Sequence, residues 1–234
     1  MGLLANNNKL DSCATGGGGK SATFALRGQS TRLRDMKLYY SPGACSLASH
    51  IVLHEARLES NLVRVDLKSK QTEAGEDFRS INPKGYVPAL ELDDGDLLTE
   101  NIAILQYLAS LKPDLLPQAG RAKWHAIETL AFVSTELHKA FKPLFDPTSS
   151  DEVKQKAKDL LAQRLQLLVP RIGQREFIVG EQFTVVDAYL FVMLTWARKQ
   201  GVNVPTELER YADALGERPS VKQALAMEAT AKAS

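Results

Sequence analysis

A chain of 234 residues and 25.7 kDa carries 29 Lys+Arg against 28 Asp+Glu, a net charge of +1 at pH 7. Nucleic-acid binding draws most of its affinity from phosphate neutralisation by a concentrated basic surface, and here both signs are interspersed, so no nucleic-acid partner is expected. With 44% hydrophobic residues the composition is that of a soluble globular protein. The uncharged run from Ala188 to Ala197 falls far short of the ~20 residues that span a bilayer, so no membrane partner is expected either.

Two cysteines, Cys13 and Cys45, make a poor disulfide framework for a chain of this length. A reducing, cytoplasmic location is the expectation. Residues 1–35 differ from the rest: they hold six of the 15 glycines and a charge of +3, and their lack of apolar periodicity predicts a disordered or leader-like extension. Within them, Ala14 to Ser21 approaches a phosphate-binding loop. It lacks the buried strand before it and the helix after it that such a loop requires.

From Met36 the pattern sharpens. Lys37 to Tyr40 reads as a strand, Ser41-Pro42-Gly43-Ala44 as a turn, Cys45 to Leu58 as a helix, and Leu62 to Leu67 as a second strand on the alternation of Val63, Val65 and Leu67. A polar loop over Lys68 to Gly75 and a short helix around Glu76 to Ser80 follow. Val87 to Leu92 and Asp96 to Thr99 form a hairpin across Asp93-Asp94-Gly95, and a helix over Asn101 to Leu111 stops before Pro113. The order β-α-β-α-β-β-α is that of a thioredoxin-like α/β domain, here assigned to residues 36–115.

Beyond Gly120 strand signals stop, and an all-helical bundle domain is expected over residues 121–234. One long helix covers 121–145, with Ile127, Leu130, Ser134, Leu137 and Phe141 on one face; another covers Asp151 to Val169, with Val153, Leu160, Leu161, Leu165 and Leu168 inward. A third starts at Thr184, where Asp187 completes a capping box and Phe183 can act as a staple. Its apolar run belongs at the centre of the core.

The chemistry concentrates at Ser41-Pro42-Gly43-Ala44-Cys45-Ser46. A thiol at the first turn of a helix meets unpaired N–H groups and the positive end of the helix dipole, which favours thiolate; the competing reading is a small buried hydrophobe. Ala48 stands where a C-x-x-C pair would have its second cysteine, so a reactive Cys45 would work against an external thiol. Val87-Pro88 at the start of a strand suits a cis bond that leaves the Val87 backbone open to an extended peptide, or a trans proline at an edge. Glu100 and Asn101 at a helix start could hold a ligand ammonium while backbone N–H groups take a carboxylate, or simply begin the helix well.

Taken together, Lys37 to His50, Asn82 to Leu90, Leu98-Thr99-Glu100, Thr135 to Lys139 and Phe183 to Tyr189 resemble a bacterial glutathione S-transferase of the beta class, over Met36 to about Glu228. The resemblance implies a homodimer that conjugates the glutathione thiolate to hydrophobic electrophiles, with glutathione as co-substrate and neither metal nor other cofactor. It implies catalytic roles for Cys45, beside the glutathione sulfur, and for His138, approaching the same sulfur from the helical domain. Without it, His138 on the border of an apolar helix face reads as a packed histidine. It further implies that Val87 pairs with the peptide backbone, Glu100 and Asn101 hold the γ-glutamyl end, and Lys70 meets the glycyl carboxylate. Tyr40, Thr135 and Glu136 match secondary contact positions. Phe141 and Trp196 are candidates for the electrophile pocket. Departures are Asn101, where the family often has Ser or Gly, and Ala131, where relatives can carry Asn. Tyr40 and Ser41 lie near where other classes place a catalytic hydroxyl. The rival activities are disulfide or peroxide reduction through a Cys45–glutathione mixed disulfide, and ligand binding or regulation without turnover.

Overall fold

The computed structural model describes residues 36–233. The glycine-rich extension, its phosphate-loop-like run and Cys13 lie outside the described residues. Strand β1 (Met36–Tyr40) runs into the turn at Ser41 to Ser46 and then helix α1 (Leu47–Ala56). That helix starts two residues later than the periodicity suggested, because Cys45 and Ser46 belong to the turn. It ends where Arg57 adopts a left-handed conformation, φ 55°. Strands β2 (Ser60–Asp66) and β3 (Gln71–Thr72) follow; β3 sits inside the expected loop, since a two-residue strand is too short to show alternation. Helix α2 (Phe78–Ile81) precedes β4 (Ala89–Glu91) and β5 (Leu97–Thr99), joined through Gly95 at φ 87° as the Asp-Gly turn requires. Helix α3 (Asn101–Leu111) has the predicted limits.

The five strands form one sheet in the order β3-β2-β1-β4-β5, with β1 parallel to β2 and antiparallel to β4. Parallel pairing of β1 with β2 across α1 is the expected crossover unit. It leaves the C-terminal end of β1, and therefore the Cys45 turn, beside the entrance to β4.

The helical part comprises α4 (Gly120–Phe132), α5 (Lys142–Phe145), α6 (Asp151–Gln166), α7 (Val169–Ile172), α8 (Val185–Gln200), α9 (Thr206–Gly216) and α10 (Pro219–Ala233). The long helix expected over 121–145 is broken. Its ladder widens to a π-type turn at Val133–Leu137, tightens to a 3-10 turn at His138–Phe141, and restarts at α5, where Pro143 has no N–H to return to Lys139. Likewise α6 stops at Gln166 because Pro170 opens the next helix. On α6 the buried stripe is Ala157, Leu161 and Leu165; Val153 and Leu160, expected inward, are exposed. No helix among the described residues is long and apolar enough to cross a membrane.

Thr184 and Asp187 form the expected capping box, and α8 is buried from Val185 to Leu194. Leu38, Ile51, Leu105, Leu130, Leu161 and Leu190 belong to a single apolar cluster, so the sheet part and the helical part share one continuous core. That sharing fixes the Cys45 turn against α8 and α10.

Candidate active site

The turn is held from three sides. Inside it, the Ser41 N–H donates to Ser46 Oγ at 3.2 Å, and the Ser46 hydroxyl returns a bond to the Ser41 carbonyl. From α8, Trp196 Nε1 donates to the Gly43 carbonyl at 2.8 Å. From α10, the Glu228 carboxylate accepts from the Gly43 N–H at 2.7 Å and lies 3.1 Å from His50 Nδ1; the other ring nitrogen of His50 faces His54 Nε2, also at 3.1 Å. Glu228 is only 4% exposed. Truncating it to alanine strands the Gly43 N–H and a buried imidazole, and should cost about 3 kcal/mol. At roughly 2–4 °C per kcal/mol for a chain of this size, Tm should fall by about 8 °C; a melt within a degree or two of wild type would show that α10 does not hold the turn.

Cys45 is a free thiol, 8% exposed, whose Sγ donates to the Val87 carbonyl at 3.4 Å. Burial pushes its pKa up to about 12, against the pull of the Cys45 and Ser46 backbone N–H groups, while Glu100 adds a further upward push. The expectation that the helix entrance favours thiolate is therefore reversed: the turn before α1 does supply N–H donors, but removal of water outweighs them.

The Val87–Pro88 bond is cis. Asn101, at the start of α3, is buried. Its Oδ1 accepts from the Ser49 hydroxyl at 2.9 Å and its Nδ2 donates to the Cys45 carbonyl at 3.1 Å. The side chain expected to face a ligand is thus engaged in holding the turn against α1. Glu100 has φ 71° and no side-chain bond into α3, which leaves the first N–H groups of that helix open beside it. Its carboxylate pairs with Lys84 Nζ at 2.6 Å, and Lys84, its pKa raised by Glu100, also reaches Thr99 Oγ1. Both partners are largely exposed, so the pair is weak and exchangeable. Lys70 adopts φ 60° and donates to the Gly85 carbonyl at 2.8 Å, with further ammonium protons free to bond.

From the helical part, His138 Nδ1 lies 2.6 Å from the Tyr189 hydroxyl, and the His138 ring stands edge-on to Trp196 at 5.2 Å. Burial, then Lys139, pulls the His138 pKa below its ordinary value. Trp196 also stacks its edge with Phe141 at 5.4 Å and Phe145 at 4.9 Å. Phe141 is buried, whereas Phe145 is 50% exposed, so Phe145 is the accessible member of this aromatic cluster.

The remaining expected residues stand elsewhere or face inward. Tyr40 is buried with its ring 5.8 Å from that of His50, and burial and Glu228 raise its pKa. Thr135 bonds back to the Ala131 carbonyl, and Glu136 pairs with Arg164 at 3.0 Å. Sequence reasoning missed Glu228, Ser49 and Lys84 as supports. Tyr189 had a usable signal: it stands seven residues before Trp196 on α8, so two polar-tipped aromatics share a face. Among the described residues, no group of three or more His, Cys, Asp and Glu side chains could hold a metal ion.

The sequence profile described as "Glutathione S-transferase, N-terminal domain" matches residues 43–111, and "Glutathione S-transferase, C-terminal domain" matches residues 132–219. The chain is 45% identical over 198 residues to glutathione S-transferase GstA of Escherichia coli O157:H7, covering 82% of this chain and 98% of that one. Among solved structures it is similar to a sphingomonad glutathione S-transferase complexed with glutathione, at 43% identity and TM-score 0.79, with 82% and 98% of the two chains covered. It is also similar to a beta-class enzyme of Sphingomonas chungbukensis, at 44% identity and TM-score 0.76, over 82% and 98%. A thioredoxin-like sheet carrying a cis-proline strand, joined through one core to a helical bundle and matched by both profiles, places this chain in the glutathione S-transferase family, as an enzyme that uses glutathione as co-substrate.

Proposed function

We propose that the protein conjugates glutathione to hydrophobic electrophiles at the junction of the Cys45 turn, the cis Val87–Pro88 segment and the His138–Trp196 cluster. The glutathione peptide backbone pairs with Val87. Its γ-glutamyl ammonium exchanges with Lys84 at Glu100, its α-carboxylate meets the open N–H groups of α3, and Lys70 takes the glycyl carboxylate. Asn101 acts on the γ-glutamyl end through the helix start that it anchors, and Tyr40, Thr135 and Glu136 lie outside the direct contacts. In the reaction the glutathione thiol loses its proton, the sulfur lone pair attacks the electrophilic carbon, and the leaving group departs with its bonding pair.

The observation that carries this reading is the enclosure of the Cys45 thiol, buried and with its S–H committed to the Val87 carbonyl. With its pKa at about 12 it serves at neutral pH as a neutral neighbour of the glutathione sulfur, so the attacking atom is glutathione's own. Exchange through a Cys45–glutathione mixed disulfide requires the thiolate that burial opposes. The exposed face of Phe145 beside Trp196 offers the apolar surface on which an aryl electrophile would rest. With that activity we propose the homodimer that the family resemblance implies, in the cytoplasm.

The test is retention on immobilised glutathione followed by turnover of a generic aryl chloride, for wild type, Cys45→Ala and His138→Ala. Wild type should be retained and turn over. Cys45→Ala should keep conjugation within a few-fold, and His138→Ala should lose about tenfold in kcat/KM, the size of one hydrogen bond to the charged sulfur. Retention without turnover would favour a ligand-binding role, and loss of conjugation in Cys45→Ala would favour the mixed-disulfide route.

A further inference from the structure

Several groups from both parts of the fold converge on one buried phenol. Tyr189 is 1% exposed, and its hydroxyl lies 2.6 Å from His138 Nδ1, with Ser134 and the Asn101 side chain within reach of the same oxygen. The orientation of Asn101 is fixed independently, since its Oδ1 accepts from Ser49 and its Nδ2 donates to the Cys45 carbonyl. Both of those bonds go elsewhere than the phenol, and the 2.6 Å contact with His138 is as short as O–H donors make, below the usual N–H···O distance. The phenol therefore sends its single proton to the Nδ1 lone pair.

We infer that Tyr189 is a positioning residue which donates its O–H to His138 Nδ1, so that the ring proton resides on Nε2 and an N–H, rather than a lone pair, faces the glutathione sulfur. This rests on the proposed placement of His138 against that sulfur. Its chemical consequence is specific. An Nε2 that already carries a proton cannot take another, so the thiol proton of glutathione leaves to water, and His138 stabilises the thiolate by donating a hydrogen bond. A charged imidazolium would need its Nδ1–H to point at the phenol and would break that O–H···N bond. Burial works in the same direction by lowering the His138 pKa.

The test uses the full chain. Long-range proton–nitrogen NMR of the wild type, with glutathione bound, should show His138 protonated at Nε2 and unprotonated at Nδ1. In Tyr189→Phe, which removes only the hydroxyl, the Nδ1–H form should appear. Ultraviolet titration of the bound thiolate should then give a glutathione pKa about one unit higher, the effect of losing one hydrogen bond to the charged form. Correspondingly, kcat/KM should fall about tenfold below that pKa and converge with wild type above it, while KM for glutathione stays within about twofold. A purely structural defect would lower activity equally at every pH. Nδ1–H in the wild type, or an unchanged thiolate pKa in Tyr189→Phe when His138→Ala raises it, overturns the inference while leaving the site reading intact. An unchanged thiolate pKa in His138→Ala overturns the site reading itself.

Discussion

Alkylation of Cys45 at pH 7 is expected to be about thirtyfold slower than that of an exposed cysteine, and its rate should climb about tenfold per pH unit from pH 7 to 11 without levelling near pH 8.5. The thiol pKa lies at about 12 because burial outweighs the N–H donors of the turn. Raising a thiol pKa shrinks the thiolate fraction at every pH below it, here by roughly three decades at neutrality. The greater intrinsic nucleophilicity of a more basic sulfur recovers about half of that on a logarithmic scale. Peptide mass spectrometry after timed iodoacetamide treatment separates Cys45 from Cys13 and reads the rate. A plateau near pH 8.5 would mean that Cys45 titrates as an open thiol, and the assignment of the attacking sulfur to glutathione would lose its main support.

Asp187→Ala should be the most destabilising single change at a residue remote from the proposed chemistry. The carboxylate is fully buried and accepts four hydrogen bonds: from the Ile178 N–H at 2.9 Å, the Thr184 N–H and hydroxyl at 2.7 Å each, and the Tyr211 hydroxyl at 2.6 Å. Burial raises its pKa, and the four donors restrain the rise. An ordinary helix cap contributes about 1 kcal/mol. Here two of the bonds come from outside the cap, Ile178 in the preceding loop and Tyr211 on α9, so truncation leaves buried donors unpaired and should remove about 4 kcal/mol. Thermal unfolding followed by circular dichroism should show Tm lowered by about 8–16 °C. A fall of only 2–3 °C would reduce Asp187 to a capping residue and assign no stability to its bonds with Ile178 and Tyr211.

Local chemistry reached far along this chain. Asp-Gly turns, proline positions and capping side chains act over a few residues, which is why the limits of α3, the Thr184–Asp187 box and the hairpin at Gly95 could be read from the sequence. The same reasoning placed Cys45 at the entrance to α1 and identified Val87-Pro88 as a special junction, and the family resemblance drew His138 to the same site. It failed where a local pattern was interrupted by a local rule of its own, as at Pro143 and Pro170, which divide two expected helices, and at β3, too short to carry a period.

What the residues determined by themselves was the order of the elements, the apolar α8 at the centre and the identity of the groups that could do chemistry. The electrostatic state of those groups was decided by tertiary structure. The Gly43 N–H finds its carboxylate 185 positions away, and His138 finds the Tyr189 hydroxyl 51 positions away. Whether a thiol loses its water depends on which chain segments close over it, and no spacing within the turn encodes that. A helix entrance predicts thiolate as long as solvent remains; Cys45 lies against the Val87 carbonyl in a core shared by both parts of the fold, and there desolvation outweighs the local donors.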